Sequence, residues 1–316
     1  MTSPAASAAH WLLDRADPAV AALARRDLRG AAPPRDAAFG SFVVRGLLDG
    51  LTSDTSLRRP YAKWAGAHWR LVSLVELGVP AGHPAAVTAA EAVLGYWTRS
   101  QRFSRITVVA GRARRCASQE GNAVAVACRL GLSGDARVAV LVDYLLDWQW
   151  PDGGWNCDPR PEAHRSSFHE TLPALWGLHE FAAATGDSRC RESVQAAAEL
   201  LLEHDVVFSR GTGAPAHPSF IQLNYPPYWH YDVLQALLVL HRAGYGGDPR
   251  TDRARDVVAG QRRTDGLWRA RRRWWRPPGA TGGGVEAFDW GDVGNQMVTL
   301  NALRVGAERL LSAAQS

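Results

Sequence analysis

Residues 149–155 read Gln-Trp-Pro-Asp-Gly-Gly-Trp, and they follow an apolar segment, 137–150, with the spacing of a helix. A shorter version of this pattern, Thr-Asp-Gly-Leu-Trp at 264–268, follows a second helix-like segment at 250–263. Proline and glycine end a helix, and we expect the tryptophan after them to pack back on that helix. The sequence therefore predicts a helix–turn unit that occurs more than once.

Five segments elsewhere in the chain repeat apolar residues at three- and four-residue steps, which indicates helices with a buried face. They begin at His68, Gly121, His169, His230 and Gly294. A second type of helical segment alternates with them, at 85–100, 137–150, 188–204 and 250–263. No stretch alternates convincingly as a strand, so we predict an all-α chain built from paired helices.

Composition sets limits on the class of protein. The 316 residues are 46% hydrophobic and 21% charged, which supports a buried core and argues against disorder. No apolar run approaches the roughly 20 residues of a membrane span, and the first residues do not resemble a signal peptide. We therefore expect a soluble cytoplasmic protein without an integral membrane segment.

Charge and cysteine content exclude two further classes. The net charge is +5, but the basic residues are spread along the chain, so we expect no nucleic-acid partner. Four scattered cysteines without a Cys-x-x-Cys pair are too few for a disulfide scaffold. Lys63 is the only lysine, and it is a candidate point charge for an anionic substrate.

The turn at 149–155, with Ser-Ser-Phe-His-Glu-Thr-Leu at 166–172, resembles the repeat of squalene/terpenoid cyclases and protein prenyltransferase β-subunits. The segments at 11–20 and 228–237 fit the same likeness, which spans roughly residues 10–310 and is greatest to short bacterial prenyltransferase-like or squalene-cyclase-like proteins. The resemblance implies an α/α toroid, in which inner helices surround a central cavity and outer helices wrap them. We expect one such domain over 1–316, with an irregular helical cap at about 1–50.

The resemblance also implies an enzyme that acts on an isoprenoid or another apolar substrate by cyclisation or prenyl transfer. The chain lacks the Asp-x-Asp-Asp motif that protonates alkenes in class II cyclases, and its nearest acid pair is Asp289 and Asp292. It also lacks the Asp-Asp-x-x-Asp motif of magnesium-diphosphate chemistry. Squalene cyclisation by the protonation route is therefore not expected.

Candidate reactive groups lie at the starts of the five repeated segments, which would gather at one mouth of a toroid. His68, His169 and His230 take equivalent positions there, and a helix N-terminus favours the neutral imidazole of a base or a metal ligand. The predicted catalytic residues are His68, His164, Glu120, Asp232, Asp289 and Asp292. The predicted zinc ligands are Cys157, His169 and His230.

In prenyltransferase β-subunits, an Asp, a Cys and a His hold zinc, and His230 matches the place of that His. The Asp-x-Cys pair is missing, because His164-Arg165-Ser166 stands there. Aromatic residues are abundant, with 13 tryptophans, and aromatic faces bind cations and apolar chains. The predicted substrate-binding residues are Lys63, Trp64, Trp69, Trp155, Trp229 and Trp290.

Three functions stay open at this point. The first is a terpenoid cyclase or prenyltransferase-like enzyme. The second is a zinc-dependent lyase or hydrolase on the same toroid, which would use Cys157, His169 and His230. The third is a non-catalytic protein that holds a ligand in the cavity, with the histidines as helix caps and the tryptophans as core.

Overall fold

The computed structural model describes residues 4–99, 106–271, 276–281, 285–286 and 288–307, without the side chains of 4–7. The structure is 54% helix, and the described residues contain almost no strand, which confirms the all-α prediction. In chain order the α-helices are α1 (Pro4–Arg15), α2 (Pro18–Arg29), α3 (Phe42–Asp49), α4 (Asp54–Arg58), α5 (Ala67–Glu76), α6 (Pro84–Trp97), α7 (Ala117–Arg129), α8 (Ala136–Asp147), α9 (Phe168–Thr185), α10 (Ser188–Leu202), α11 (Val233–Leu240), α12 (Asp252–Ala259) and α13 (Val293–Arg304).

The five segments predicted as buried helices form α5, α7, α9, α11 and α13, and most of the residues in each are buried. The four alternating segments form α6, α8, α10 and α12, which bury one face. Each buried helix except α13 packs against the helix that follows it. The buried helices also contact one another in chain order, from α5 to α13.

Helices α7 and α9 approach each other until their backbones touch. A Cβ atom on Gly121 would lie 2.4 Å from the carbonyl oxygen of Pro173, and one on Gly177 would lie 2.4 Å from that of Gly121. Both distances are too short for any side chain, so glycine is required at the two positions. This close contact fixes the second and third turns of α9 against the second turn of α7.

The two predicted tryptophan turns are present, and each has an equivalent hydrogen bond from its tryptophan indole. Trp155 donates from Nε1 to the carbonyl of Leu145 at 2.8 Å, and Trp268 donates likewise to Val258 at 2.8 Å. Each tryptophan therefore packs back on the helix before it, as the sequence predicts. We call residues 150–155 the first tryptophan turn and residues 263–268 the second.

The N-terminal segment and one hairpin complete the described fold. The N-terminal segment, predicted as an irregular helical cap, forms α1, α2 and α3, and both α1 and α2 pack against α13. A two-stranded antiparallel hairpin, β1 (Thr107–Val109) and β2 (Arg112–Arg114), precedes α7. Its turn residues Ala110 and Gly111 both have positive φ, which suits a tight hairpin turn.

The remaining short elements are single turns. Residues Ala37–Gly40 and Pro249–Thr251 form 3₁₀ turns, and His241–Tyr245 continues α11 as a π-helical turn. None of the helices in the described residues combines the length and the apolarity that a membrane span requires.

Candidate functional site

Three potential metal ligands meet where α7 and α9 begin. The Sγ atoms of Cys116 and Cys157 and a carboxylate oxygen of Glu170 all lie within 4.8 Å of one another. Glu170 is buried, and the two thiols are half-buried. We call these three residues the thiol–carboxylate cluster.

Neighbouring loops bring the two thiols together. Cys116 follows β2 and precedes α7, and Cys157 follows the first tryptophan turn. The backbone N–H of Arg115 donates to the carbonyl of Asn156 at 3.1 Å, which joins the residues immediately before the two cysteines. The indole of Trp150 also donates to the carbonyl of Ala113 at 2.9 Å. The hairpin segment and the first tryptophan turn are therefore hydrogen-bonded to each other, and together they position the two thiols.

Glu170 lies in the first turn of α9 and faces the start of α7. The backbone N–H of Ser118 donates to its Oε2 at 2.9 Å, and the Cys157 thiol donates to its Oε1 at 3.5 Å. Burial raises the pKa of Glu170. A buried carboxyl with a raised pKa beside two thiols is an unusual group for a protein core, because carboxyl groups are seldom buried without a charged partner.

The two thiols differ in how readily they lose their protons. The interaction between the two sulfur atoms lowers the pKa of Cys116 and raises the pKa of Cys157. Cys116 is therefore the thiol of the pair that loses its proton more readily. Thiolate is the form that attacks electrophiles and binds metals.

The chemistry of the three donors fits zinc. Zinc prefers thiolate, imidazole and carboxylate ligands, and its catalytic sites carry three protein ligands and one open position. Two sulfurs and one carboxylate oxygen match this arrangement. Calcium and magnesium prefer all-oxygen sites, so the two thiols argue against them.

A second carboxylate, that of Glu120, lies fully buried beside the cluster and pairs with the guanidinium of Arg115. Close by, the side chain of Gln119 donates to the hydroxyl of Tyr61 at 3.0 Å. The Tyr61 ring contacts His68, with ring centroids 5.3 Å apart. Tyr61 thus connects the thiol–carboxylate cluster to a group of aromatic side chains.

The structure places the three predicted histidines in different roles. His68 is buried, and burial lowers its pKa to about 3. Its Nδ1 accepts from the Trp97 indole at 3.3 Å, so the proton is on Nε2. His169 and His230 lie together, with ring centroids 6.2 Å apart.

His169 is engaged by the backbone rather than by Cys157. Its Nδ1 accepts from the N–H of Tyr231 at 2.8 Å, and a further hydrogen bond links its ring to the backbone of Trp229. Burial lowers its pKa to about 4. The predicted ligand set of Cys157, His169 and His230 is therefore not assembled, because Cys157 groups with Cys116 and Glu170 instead.

A cavity of about 20 Å³, with space for about one water molecule, lies between α5, α7, α9 and α11. This volume is far below the roughly 300–1,000 Å³ of small-molecule pockets. Its walls are mainly apolar and aromatic, and they include Val72, Leu172, Trp176, Tyr225, Tyr228, Trp229, His230 and Val239. Glu76 also lines it, and although burial raises its pKa, the nearby Arg242 and Arg129 lower that pKa to about 2.

Aromatic rings form the rim of this cavity. Trp64 stacks on Tyr228 with centroids 5.0 Å apart, and Trp229 stacks on His230 at 4.2 Å. Trp69 is buried beside Trp64, 4.9 Å between centroids. Three of the predicted substrate-binding tryptophans are thus gathered at one place.

The other predicted residues have structural roles or lie on the surface. Trp155 and Trp290 are buried and donate to Leu145 and Glu286 respectively. Asp232 caps α11 by accepting from the N–H of Gln235 at 2.9 Å, and burial raises its pKa to about 7. Exposed positions are occupied by His164, Asp289 and Asp292.

The predicted site omitted Cys116 and Glu170. Glu170 directly follows His169, and Cys116 precedes the repeated segment at Gly121, so both lay next to positions already singled out. The signal that would have found them is that Cys116 directly precedes one buried helix, α7, and Cys157 lies in the loop that leads to the next one, α9. Adjacent helices of that type bring such residues into contact.

In comparisons with known proteins, no family model matches this chain, and no curated protein matches it.

Proposed function

We propose that this chain is a zinc-dependent enzyme of an α/α-toroid class similar to the terpenoid cyclases and protein prenyltransferases. It takes an isoprenoid or similarly apolar substrate at the aromatic side chains around the small cavity between α5, α7, α9 and α11, and the substrate would have to widen that cavity on binding. The thiol–carboxylate cluster holds the zinc ion. The observation that carries the proposal is the meeting of two thiols and a buried carboxyl within 4.8 Å.

The toroid arrangement is supported by the order of helix contacts. The buried helices contact one another in sequence from α5 to α13, α13 contacts α1 and α2, and α3 contacts α5. A ring of buried helices closed by the N-terminal helices accounts for all these contacts. In such a ring the cavity lies at the centre, and the starts of α7 and α9 lie at one mouth.

The position of the cluster relative to the cavity supports a catalytic use of the metal. Leu172 and Pro173 line the cavity and follow Glu170 within the same turn of α9, and Asn122 lines it from α7. When bound, zinc would supply Lewis acidity at its open position, which faces a substrate or a water molecule. A purely structural zinc site usually has four protein ligands.

The chain's own residues would tune this site. The N–H of Ser118 orients the Glu170 carboxylate, and the Arg115–Glu120 pair places a second charged group at the same helix start. The aromatic rim excludes water and provides π-faces for an apolar chain. The cluster would thus supply the reactive group, and the aromatic side chains would bind the substrate.

Metal analysis of purified protein tests the proposal. We expect about one zinc per chain in protein prepared without chelator, and loss of that zinc in Cys116→Ser, Cys157→Ser and Glu170→Gln. Cobalt substitution should give the near-ultraviolet charge-transfer absorption of thiolate ligands. Cys128→Ser is the matched control, because Cys128 is a half-buried thiol of α7 outside the cluster.

A wild-type protein that takes up neither zinc nor cobalt would refute the metal site. Activity is tested separately, by incubating the zinc-loaded protein with isoprenoids of different chain length and analysing products by mass. Products that disappear in Cys157→Ser but persist in Cys128→Ser would support a zinc enzyme. Ligand retention without any product would favour the non-catalytic binding protein instead.

A further inference from the structure

We propose that Cys116 and Cys157 form a reversible disulfide when a peroxide oxidises them, and that this bond prevents the chain from holding zinc. The inference rests on the proposed zinc site, and it adds a means of regulating that site. The thiol–carboxylate cluster then has two states, a reduced state that binds the metal and an oxidised state that does not.

The two sulfur atoms are close enough to react with each other. The Sγ atoms of Cys116 and Cys157 lie within 4.8 Å of one another, and both cysteines are free thiols. A disulfide has an S–S length of about 2.05 Å. Rotation about the Cα–Cβ bonds can cover the difference, because that single torsion moves the sulfur of a cysteine.

The spacing of the backbone also suits a disulfide. The N–H of Arg115 donates to the carbonyl of Asn156 at 3.1 Å, so the residues that precede the two cysteines are hydrogen-bonded to each other. Backbone segments joined in this way lie about 5 Å apart. A disulfide needs Cα atoms about 4.4–6.8 Å apart. The bond can therefore form while the two segments keep their positions.

Arg114 holds the loop that carries Cys157 against the hairpin segment that leads to Cys116. Its side chain is buried, and its Nη1 donates to the carbonyl of Ala163 at 2.7 Å. The guanidinium also lies over the Trp150 ring, 4.5 Å from the centroid. None of these groups belongs to the cluster, so the contacts that keep the thiols adjacent do not depend on a metal.

Oxidation of the pair by hydrogen peroxide balances in two steps. Both thiols are half-buried, so this small oxidant can reach them. One sulfur attacks the peroxide, the O–O bond breaks, and a sulfenic acid and one water molecule form. The second thiol attacks the sulfenic sulfur, the S–S bond forms, the S–O bond breaks, and a second water leaves. Two electrons pass from the sulfurs to the peroxide, and both thiol protons end in water.

The disulfide removes two of the three proposed zinc ligands. Glu170 alone remains, and zinc sites in proteins have about three or four protein ligands. Disulfide formation and metal binding use the same two sulfur atoms, so each opposes the other. A dithiol reductant reverses the oxidation by thiol–disulfide exchange and restores the ligands.

Treatment of the zinc-loaded protein with a small excess of hydrogen peroxide tests the proposal. We expect peptide mapping without reduction to find Cys116 joined to Cys157, and a zinc-sensitive dye to report about one zinc ion released for each pair of thiols lost. Dithiothreitol should reverse both changes. Trypsin leaves Cys116 and Cys128 on one peptide, 116–129, so Cys128→Ser is the control that assigns the cross-link, and it should behave as the wild type.

Glu170→Gln separates the disulfide from the metal site, because it removes the carboxylate ligand and keeps both thiols. This variant should form the cross-link even if it binds no zinc. A wild type that takes up no zinc yet forms the cross-link would overturn the zinc enzyme and support the reactive thiol pair. A zinc-loaded wild type that keeps both thiols, is oxidised at each sulfur separately, or forms the cross-link and retains its zinc would overturn the inference.

Discussion

The first and second tryptophan turns use the same backbone scaffold. In the first, Trp150 N–H donates to the carbonyl of Gly154 at 2.7 Å, and in the second, Arg263 N–H donates to that of Leu267 at 2.9 Å. Gly153 and its counterpart Gly266 both have positive φ, at 95° and 82°. Each turn is thus closed in the same way, four residues after it opens.

Both turns also attach to the following buried helix through a threonine. The N–H of Trp155 donates to Oγ1 of Thr171 at 3.3 Å, and the N–H of Trp268 donates to Oγ1 of Thr299 at 3.1 Å. The threonines stand on α9 and α13 respectively. The turns therefore fix the entry of two equivalent helices.

The two regions differ at the positions that carry the thiol–carboxylate cluster. Cys157 stands two residues after its tryptophan, where the second turn has Ala270. Glu170 stands directly before its threonine, where α13 has Val298. One scaffold thus carries polar, potentially metal-binding groups in one copy and apolar groups in the other. The comparison indicates that the cluster is not needed to form the turn, so a functional reason must account for its buried acid.

The largest effect on stability is expected when a carboxylate like that of Glu170 is introduced at the equivalent position after the second tryptophan turn. Val298 is fully buried, so Val298→Glu puts a carboxylate into a core that offers no arranged donor. An uncompensated buried charge costs about 3–5 kcal/mol. Denaturant unfolding should show this loss of stability. Val298→Thr is the control of similar shape, and an equal loss in both variants would mean that packing, not charge, decides the site.

The pH dependence of zinc binding is the next largest effect. Burial raises the pKa of Glu170, and the interaction with Cys116 raises that of Cys157, so at any pH below these pKa values zinc must displace a proton from each group. Zinc affinity should therefore rise by about tenfold per pH unit for each proton released. Competition with a chelator at several pH values measures the slope, and a slope of zero would contradict the assignment.

The stability of the metal-free chain should depend on pH in the opposite direction: it should fall as the pH rises. The pKa of Glu170 in the folded state lies above its value of about 4.5 in the unfolded chain. The unfolded chain therefore loses its proton first, and stability falls as the pH rises from about 4.5 towards the folded pKa. Glu170→Gln should remove this part of the dependence. A metal-free wild type and variant with parallel pH profiles would show that folding does not raise the pKa of Glu170.

Replacing the two tryptophans tests whether the scaffolds are equivalent in energy. Trp155→Phe and Trp268→Phe each remove one buried indole hydrogen bond of 2.8 Å and leave a small void. We expect a loss of about 1–3 kcal/mol in each, because a buried bond and some packing are lost together. Thermal unfolding of both variants provides the comparison. A much larger loss at Trp155 would mean that the first turn also depends on the cluster.

The sequence predicted the helices and both turns because each depends on local pattern. Apolar residues at three- and four-residue steps, and a glycine followed by a tryptophan, can be recognised within a few residues of sequence. Trp155 and Trp268 both pack back on the preceding helix, as this local pattern predicts. The cluster depends on a contact between loops that are distant in sequence, and no local period reports that Cys116 meets Cys157. His169 shares the register of the other histidines, but the backbone of Tyr231 occupies its Nδ1, and register alone does not reveal that bond.

The smallest effect is expected from the acid pair that follows the second turn. Asp289 and Asp292 are exposed, and their carboxylates accept from the N–H of Gly291 at 3.2 Å and from the side chain of Asn295 at 2.8 Å. Asparagine keeps an acceptor oxygen at both positions, so Asp289→Asn and Asp292→Asn should change stability by less than about 0.5 kcal/mol. Zinc content should be unchanged, because neither acid belongs to the cluster. If either variant lost zinc or turnover of an isoprenoid, the region after the second tryptophan turn would carry part of the site. The contrast between a functional first region and a purely structural second region would then be wrong.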